Sequence, residues 1–206
     1  MTDVTSKSEI YLVIEGLGEQ DILSETFYKD PSEVLVNGIS YSSCKKSCNI
    51  VNDDNQNKIT LIFNENLNSC ENMFSGRNNI IEIDLSNFDT TSVTNMKSMF
   101  YDCTNLTKIN FGEIKTSSVE DMSYLFYDCH NLLSINLSNF DTSSVTNMAY
   151  MFYECKKLIF IDASSFNTLK VEDMSALFDG CQNLVSVNVL SFDTSNVKCM
   201  ENMFAY

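Results

Sequence analysis

The chain has 206 residues, 44% of them hydrophobic, and carries 28 acidic against 13 basic side chains, a formal net charge of −15. That length accommodates one substantial core. The negative field would repel nucleic acid and anionic membrane surfaces and suits a basic partner or a cation. No run of 18 apolar residues exists, so the chain holds no membrane span of the helical kind.

The first eight residues, Met1 to Ser8, lack the apolar stretch of a signal peptide. If the native protein is secreted, its leader and any anchor are expected to lie outside this sequence. Ile10 to Glu15 reads as a strand. Pro31, the only proline, marks a loop. Val34 to Tyr41 reads as a hairpin, because Asn37-Gly38 suits a type I′ turn. Residues 1–58 are read as a β-rich N-terminal cap. Within it, Cys44 and Cys48 form the best local disulfide candidate, with free thiols or a bond to Cys70 as the alternatives. Residues 59–63, with Leu67, Cys70 and Met73, resemble a shortened coil.

From there a 26-residue period takes over. Phenylalanine recurs at 74, 100, 126, 152, 178 and 204, the mark of a repeat array in which each unit adds one turn to a stack. Isoleucine or valine recurs at 83, 109, 135, 161 and 187, threonine at 90, 116, 142, 168 and 194, and valine at 93, 119, 145, 171 and 197. Pairs such as Ile83 and Leu85 alternate with polar neighbours, as in a short strand with one face inward. Val93, Met96, Met99, Phe100 and Cys103 follow a spacing that predicts one face of a short helix. Thr142-Ser143 reads as an N-cap, and Ser117 with Glu120 as a weak capping box. The expectation is an α/β fold: a right-handed leucine-rich-repeat-type solenoid over residues 59–206, with parallel strands, short helices, one short and five full coils, and an uncapped C-terminal end. A sixth coil begins at Phe204 and stops at Tyr206. This suggests either a fragment of a longer array or a face covered by another molecule.

The run Phe126-Tyr-Asp-Cys129-His-Asn-Leu132-Leu-Ser-Ile135-Asn-Leu137 resembles the BspA-like leucine-rich-repeat surface proteins. Residues 139–148, Asn-Phe-Asp-Thr-Ser-Ser-Val-Thr-Asn-Met, resemble the 26-residue variant of that repeat. The sequence departs from the 23-residue form, which has a proline after the strand where Ser86, Gly112, Ser138, Ser164 or Leu190 stands here. It also lacks the asparagine of ordinary leucine-rich repeats, with Phe or Ile at 88, 114, 140, 166 and 192. The resemblance implies display at the cell surface or secretion, and adhesion or ligand binding. It brings no catalytic residues.

Cys103, Cys129, Cys155 and Cys181 form one column, read as buried thiols filling the core, since metal-binding cysteines usually come as close pairs. Nine of the ten methionines fall in two columns, read as core. His130, the only histidine, sits at an ordinary polar position, and no nucleophile elbow accompanies it. Asp89, Asp141 and Asp193 are stacked equivalents of one turn position rather than an acid–base pair. The threonine column is read as caps or turn hydrogen bonds rather than as a water-ordering ladder. Sequons stand at Asn105 and Asn136. No P-loop, dinucleotide fingerprint or EF-hand is present, and no cofactor, metal or enzymatic activity is expected.

The candidate binding strip is the outward face of the predicted strands: Asp84, Asn110, Asn136, Asp162 and Asn188, with Glu82, Lys108, Ser134, Phe160 and Ser186. Phe160 is the aromatic among polar positions and a candidate anchor. The expected function is non-catalytic recognition of a protein or glycan ligand, with a basic character favoured by the charge. The alternative is a structural protein that assembles through its uncapped C-terminal edge.

Overall fold

The computed structural model describes residues 7–51 and 55–205. The leader reading of residues 1–6 and the terminal Tyr206 lie outside them. Ten strands follow in order: β1 Ser8–Glu15, β2 Gly18–Asp21, β3 Glu33–Val36, β4 Ile39–Ser40, β5 Ser47–Ile50, β6 Gln56–Phe63, β7 Ile80–Asn87, β8 Lys108–Asn110, β9 Phe160–Asp162 and β10 Ser186–Asn188.

The expected α/β solenoid is overturned. Among the described residues there is no helix, and the largest sheet is mixed, in the order β4-β3-β6-β1-β7-β8. Its β4–β3, β3–β6, β6–β1 and β1–β7 pairs are antiparallel, and only β7–β8 is parallel. A separate parallel pair joins β9 to β10, and an antiparallel pair joins β2 to β5. The hairpin at Asn37-Gly38 closes β3 on β4, with φ of 50° and 83° at its two corner residues, as a type I′ turn requires. The boundary expected between residues 58 and 59 falls inside β6, whose neighbours β3 and β1 both precede it in the chain.

The segments expected to be helical fail for a specific backbone reason. An α-helix closes each N–H on the carbonyl four residues earlier. Here every second N–H crosses to the following repeat: Met96 to Asp121, Ser98 to Ser123, Phe100 to Leu125 and Asp102 to Tyr127, at 2.7–3.0 Å. The alternate N–H groups of Met99, Tyr101 and Cys103 close three-residue turns on Met96, Ser98 and Phe100. Positive φ at Ser98 and Asp102, repeated at Tyr124 and Asp128 and at Tyr150 and Glu154, turns the chain each time. Left-handed backbone at non-glycine residues costs about 1–2 kcal/mol each. The inter-repeat bonds and buried apolar side chains offset that cost. The N-caps expected at Thr142-Ser143 and Ser117 therefore have no helix to cap.

The 26-residue columns are vertical rows in space. Phe74, Phe100, Phe126, Phe152, Phe178 and Phe204 stack ring on ring with centroids 5.4–5.8 Å apart. Single parallel bridges run Ser69–Asn95–Asp121–Asn147–Asp173–Cys199. Four of the threonines are buried and tie neighbours together, Thr194 of the last repeat being exposed: Thr142 Oγ1 donates to the Asn167 carbonyl at 2.9 Å and accepts the Asn167 N–H at 2.8 Å, and Thr90, Thr116 and Thr168 repeat the pattern. The thiols of Cys103, Cys129, Cys155 and Cys181 each donate to the phenylalanine carbonyl one repeat back. Cys44 and Cys48 are joined by a disulfide.

The first repeat is covered by the N-terminal residues. Arg77 pairs with Asp21 at 3.2 Å and donates to the Leu23 carbonyl, and the Ser24 N–H reaches the Met73 carbonyl. At the other end the columns come into the open. Phe178 is 2% exposed and Phe204 46%.

Candidate functional site

The best-formed concavity is a cleft of about 680 Å³ on the outer face of the six-stranded sheet, within the usual range for ligand sites. Strand alternation builds it: Ile10, Leu12 and Ile14 of β1 face the core, which turns Tyr11 and Val13 outward. The pairing register sets two rows across the sheet. One runs Leu35, Thr60, Tyr11, Asp84, Asn110, and the other Lys58, Val13, Glu82, Lys108. The hairpin residues Asn37 and Gly38 form one rim. Asn37 is fixed there, since its Oδ1 accepts the Lys58 N–H at 2.9 Å and its Nδ2 donates to Asn57 at 2.9 Å.

The polar groups are held in place. The Tyr11 hydroxyl donates to Glu9 and accepts from Asn87 Nδ2 at 3.1 Å. The bond to Glu9 pushes the phenol's pKa up. Burial works to raise the Asp84 carboxyl. Hydrogen bonds from the Ser86 hydroxyl and N–H and from Asn110, with the Lys108 ammonium nearby, outweigh it and hold the group below the ordinary carboxylate range. Lys108 Nζ lies 3.6 Å from Glu82 Oε2, an exposed pair of little energetic weight.

The structure divides the expected strip. Glu82, Asp84, Lys108 and Asn110 share the cleft. Ser134 and Asn136 lie on a segment without strand structure. Phe160, Asp162, Ser186 and Asn188 sit on the separate β9–β10 pair, with Ser186 opposite Phe160 and Asn188 opposite Asp162. The outward Asp/Asn positions also do local work. Asp84, Asn110, Asn136, Asp162 and Asn188 each accept the N–H of the second residue onward, the bond of an Asx turn, and at Asn110, Asp162 and Asn188 the strand ends there. Phe160 is 49% exposed and neighbours a column of exposed apolar residues, Leu133, Ile159 and Val185.

Tyr11, Val13, Lys58 and Thr60 are cleft residues that the sequence reading missed. The signal available was the alternation in residues 8–15 and 56–63; what pairs those strands with residues 82–84 is tertiary. The cysteine column holds buried free thiols. Burial pushes Cys103 and Cys181 up to about 12, the reverse of a reactive thiolate. Among the described residues, no helix is long and apolar enough to cross a membrane.

No curated protein and no solved structure matches the chain. A family model, described as "Mycoplasma protein of unknown function, DUF285", matches residues 68–160 and again 158–206, which together take in all five full repeats and more than half of the chain. The repeated part lying within that match, the chain belongs to the DUF285 family of Mycoplasma proteins of unknown function.

Proposed function

We propose that this protein is a non-catalytic recognition module, displayed at the cell surface or secreted, that binds a neutral glycan in the cleft of the six-stranded sheet. The carrying observation is the cleft itself, where an aromatic and an aliphatic side chain, Tyr11 and Val13, lie between hydrogen-bonding groups of both charges, Lys58, Lys108, Glu82 and Asp84. Sugar rings present C–H faces and hydroxyl edges together, and a mixed surface of this kind matches both. The net charge of −15 weighs against acidic ligands. Surface display rests on the resemblance to BspA-like repeat proteins.

An array of neutral oligosaccharides, with hits quantified by calorimetry, tests this reading. Val13→Ser and Lys58→Ala should each weaken a hit by about tenfold, the cost of truncating a central contact. Phe160→Ser with Asp162→Lys on β9 should leave it unchanged. Loss of binding in the β9 variant alone would move the site to the exposed apolar column. A panel of peptides binding where no glycan does would replace the ligand class.

A second reading is favoured by the last repeat, where Val185, Leu190, Met200 and Phe204 are exposed. A second copy of this chain would cover that face. Because the first repeat is closed by Arg77, Ser24 and their partners, the last repeat of one copy would meet the last repeat of another. Assembly would then stop at a two-fold dimer instead of a filament. Sedimentation gives the answer: a monomer at micromolar concentration removes this reading.

A further inference from the structure

Outside the cleft, the chain's only histidine meets two carboxylates. His130 Nε2 lies 3.1 Å from Asp128 Oδ1, and one atom each of Asp128, His130 and Glu154 fall within 4.8 Å of one another. The repeat creates this group. Asp128 and Glu154 occupy the same column one repeat apart, and His130 sits two residues beyond Asp128 on the same turn. Their backbones are fixed. Asp128 and Glu154 are both left-handed, with φ of 58° and 57°, and their N–H groups donate to the Tyr153 and Asp179 carbonyls at 2.9 and 2.8 Å. In the next repeat the column holds Gly180, where a Cβ would come within 2.8 Å of the Glu154 carboxylate. The missing side chain is what lets that carboxylate lie along the stack.

The charge in this corner is unbalanced. Glu154 Oε2 is buried, and the Lys156 ammonium lies 2.8 Å from it as its ion-pair partner. Burial raises the Asp128 carboxyl's pKa; His130 works against that, and Asp102 and Glu154 add to it. Three carboxylates thus gather around one imidazole and one ammonium. A positive ion seated between them would meet oxygen and nitrogen donors already converged and only about a third exposed.

We propose that Asp128, His130 and Glu154 form a binding site for a divalent transition-metal ion, zinc being the natural probe. One imidazole and two carboxylates suit zinc and its neighbours, whereas calcium takes six to eight oxygens. Three protein ligands leave a position for water or for a group on a partner. Lys156 is the built-in competitor, and zinc displaces its ammonium from Glu154.

Calorimetry of the tag-free, metal-stripped 206-residue chain with zinc chloride in a non-chelating buffer tests the site. One equivalent should bind. His130→Ala should weaken it at least about tenfold, since even outer-shell changes at metal sites cost 10–100-fold. Lys156→Met, which removes the competitor, should tighten it several-fold. His130→Gln serves if the alanine variant unfolds by circular dichroism. Absence of binding at millimolar zinc, or binding that neither histidine variant alters, overturns the proposal, as does a Lys156→Met chain that binds more weakly. None of these outcomes bears on the sheet cleft, so the two sites stand or fall separately.

Discussion

At the scale of single residues, the stack uses polar atoms where the sequence suggested only filling. The cysteine column is both apolar volume and a row of thiol donors. Cys103 Sγ lies 3.0 Å from the Phe74 carbonyl, which already accepts the Arg77 N–H. Protonation is therefore part of the fold. Burial lifts Cys103 and Cys181 from an ordinary 9.0 to about 12, while the unfolded chain keeps ordinary thiols. As pH rises above 9 the unfolded chain loses these protons first, so stability that is whole below pH 9 drains away as pH climbs toward 12. Urea unfolding followed from pH 8 to pH 10.5 should show that fall. Replacing both Cys103 and Cys181 by alanine should make it shallower by up to about two protons per molecule. An unchanged slope would mean the thiols are accessible. Iodoacetamide offers a direct check, since among the six free cysteines only Cys199 is not fully buried.

Between elements, the bonds that matter run from one repeat to the next. The apolar columns were readable because a 26-residue period needs no knowledge of conformation. The secondary structure between them was not. Val93, Met96, Met99 and Phe100 face one side in either a helix or this train of turns. Only the left-handed residues distinguish the two, and several of those, such as Tyr124, Tyr150 and Ala176, carry no left-handed signal in their side chains. The threonine column was read as caps and turn bonds. It is instead a buried clip, with hydroxyl donor and acceptor both engaged by the following repeat. Thr142→Val keeps the shape but removes both part-buried hydrogen bonds to the Asn167 backbone, and should destabilise by about 1–3 kcal/mol in urea unfolding. Thr142→Ser, which keeps both bonds, should cost clearly less. Equal losses would assign the residue's role to its methyl group.

Across the whole molecule, each repeat leans on its neighbours, and the two ends differ. Arg77, Ser24 and Glu15 close the first repeat, whereas in the fifth Val185, Leu190 and Met200 are exposed. Hydrogen exchange should show this as a gradient. The N–H groups of Phe100, Phe126 and Phe152, which cross into the next repeat, should be among the slowest, and residues 184–200 should exchange much faster. Equal protection along the stack would mean that the last repeat is covered in solution.

By itself the sequence established which residues are equivalent. A strict period places like side chains in register whatever the backbone does between them, and so the phenylalanine, threonine and cysteine rows were legible, as were the hairpin at Asn37-Gly38 and the strand at residues 10–15. Tertiary structure decided the rest. Whether an N–H bonds within its own turn or to the repeat 26 residues on depends on a neighbour the local sequence does not contain, and that choice replaced the helices. The cleft follows the same logic. Glu82, Asp84, Lys108 and Asn110 could be found from the repeat, but Tyr11, Val13, Lys58 and Thr60 join them only because β1 and β6 pair into the same sheet. The pairing of strands so distant in the chain is settled by the burial of their inner faces, which no local pattern states.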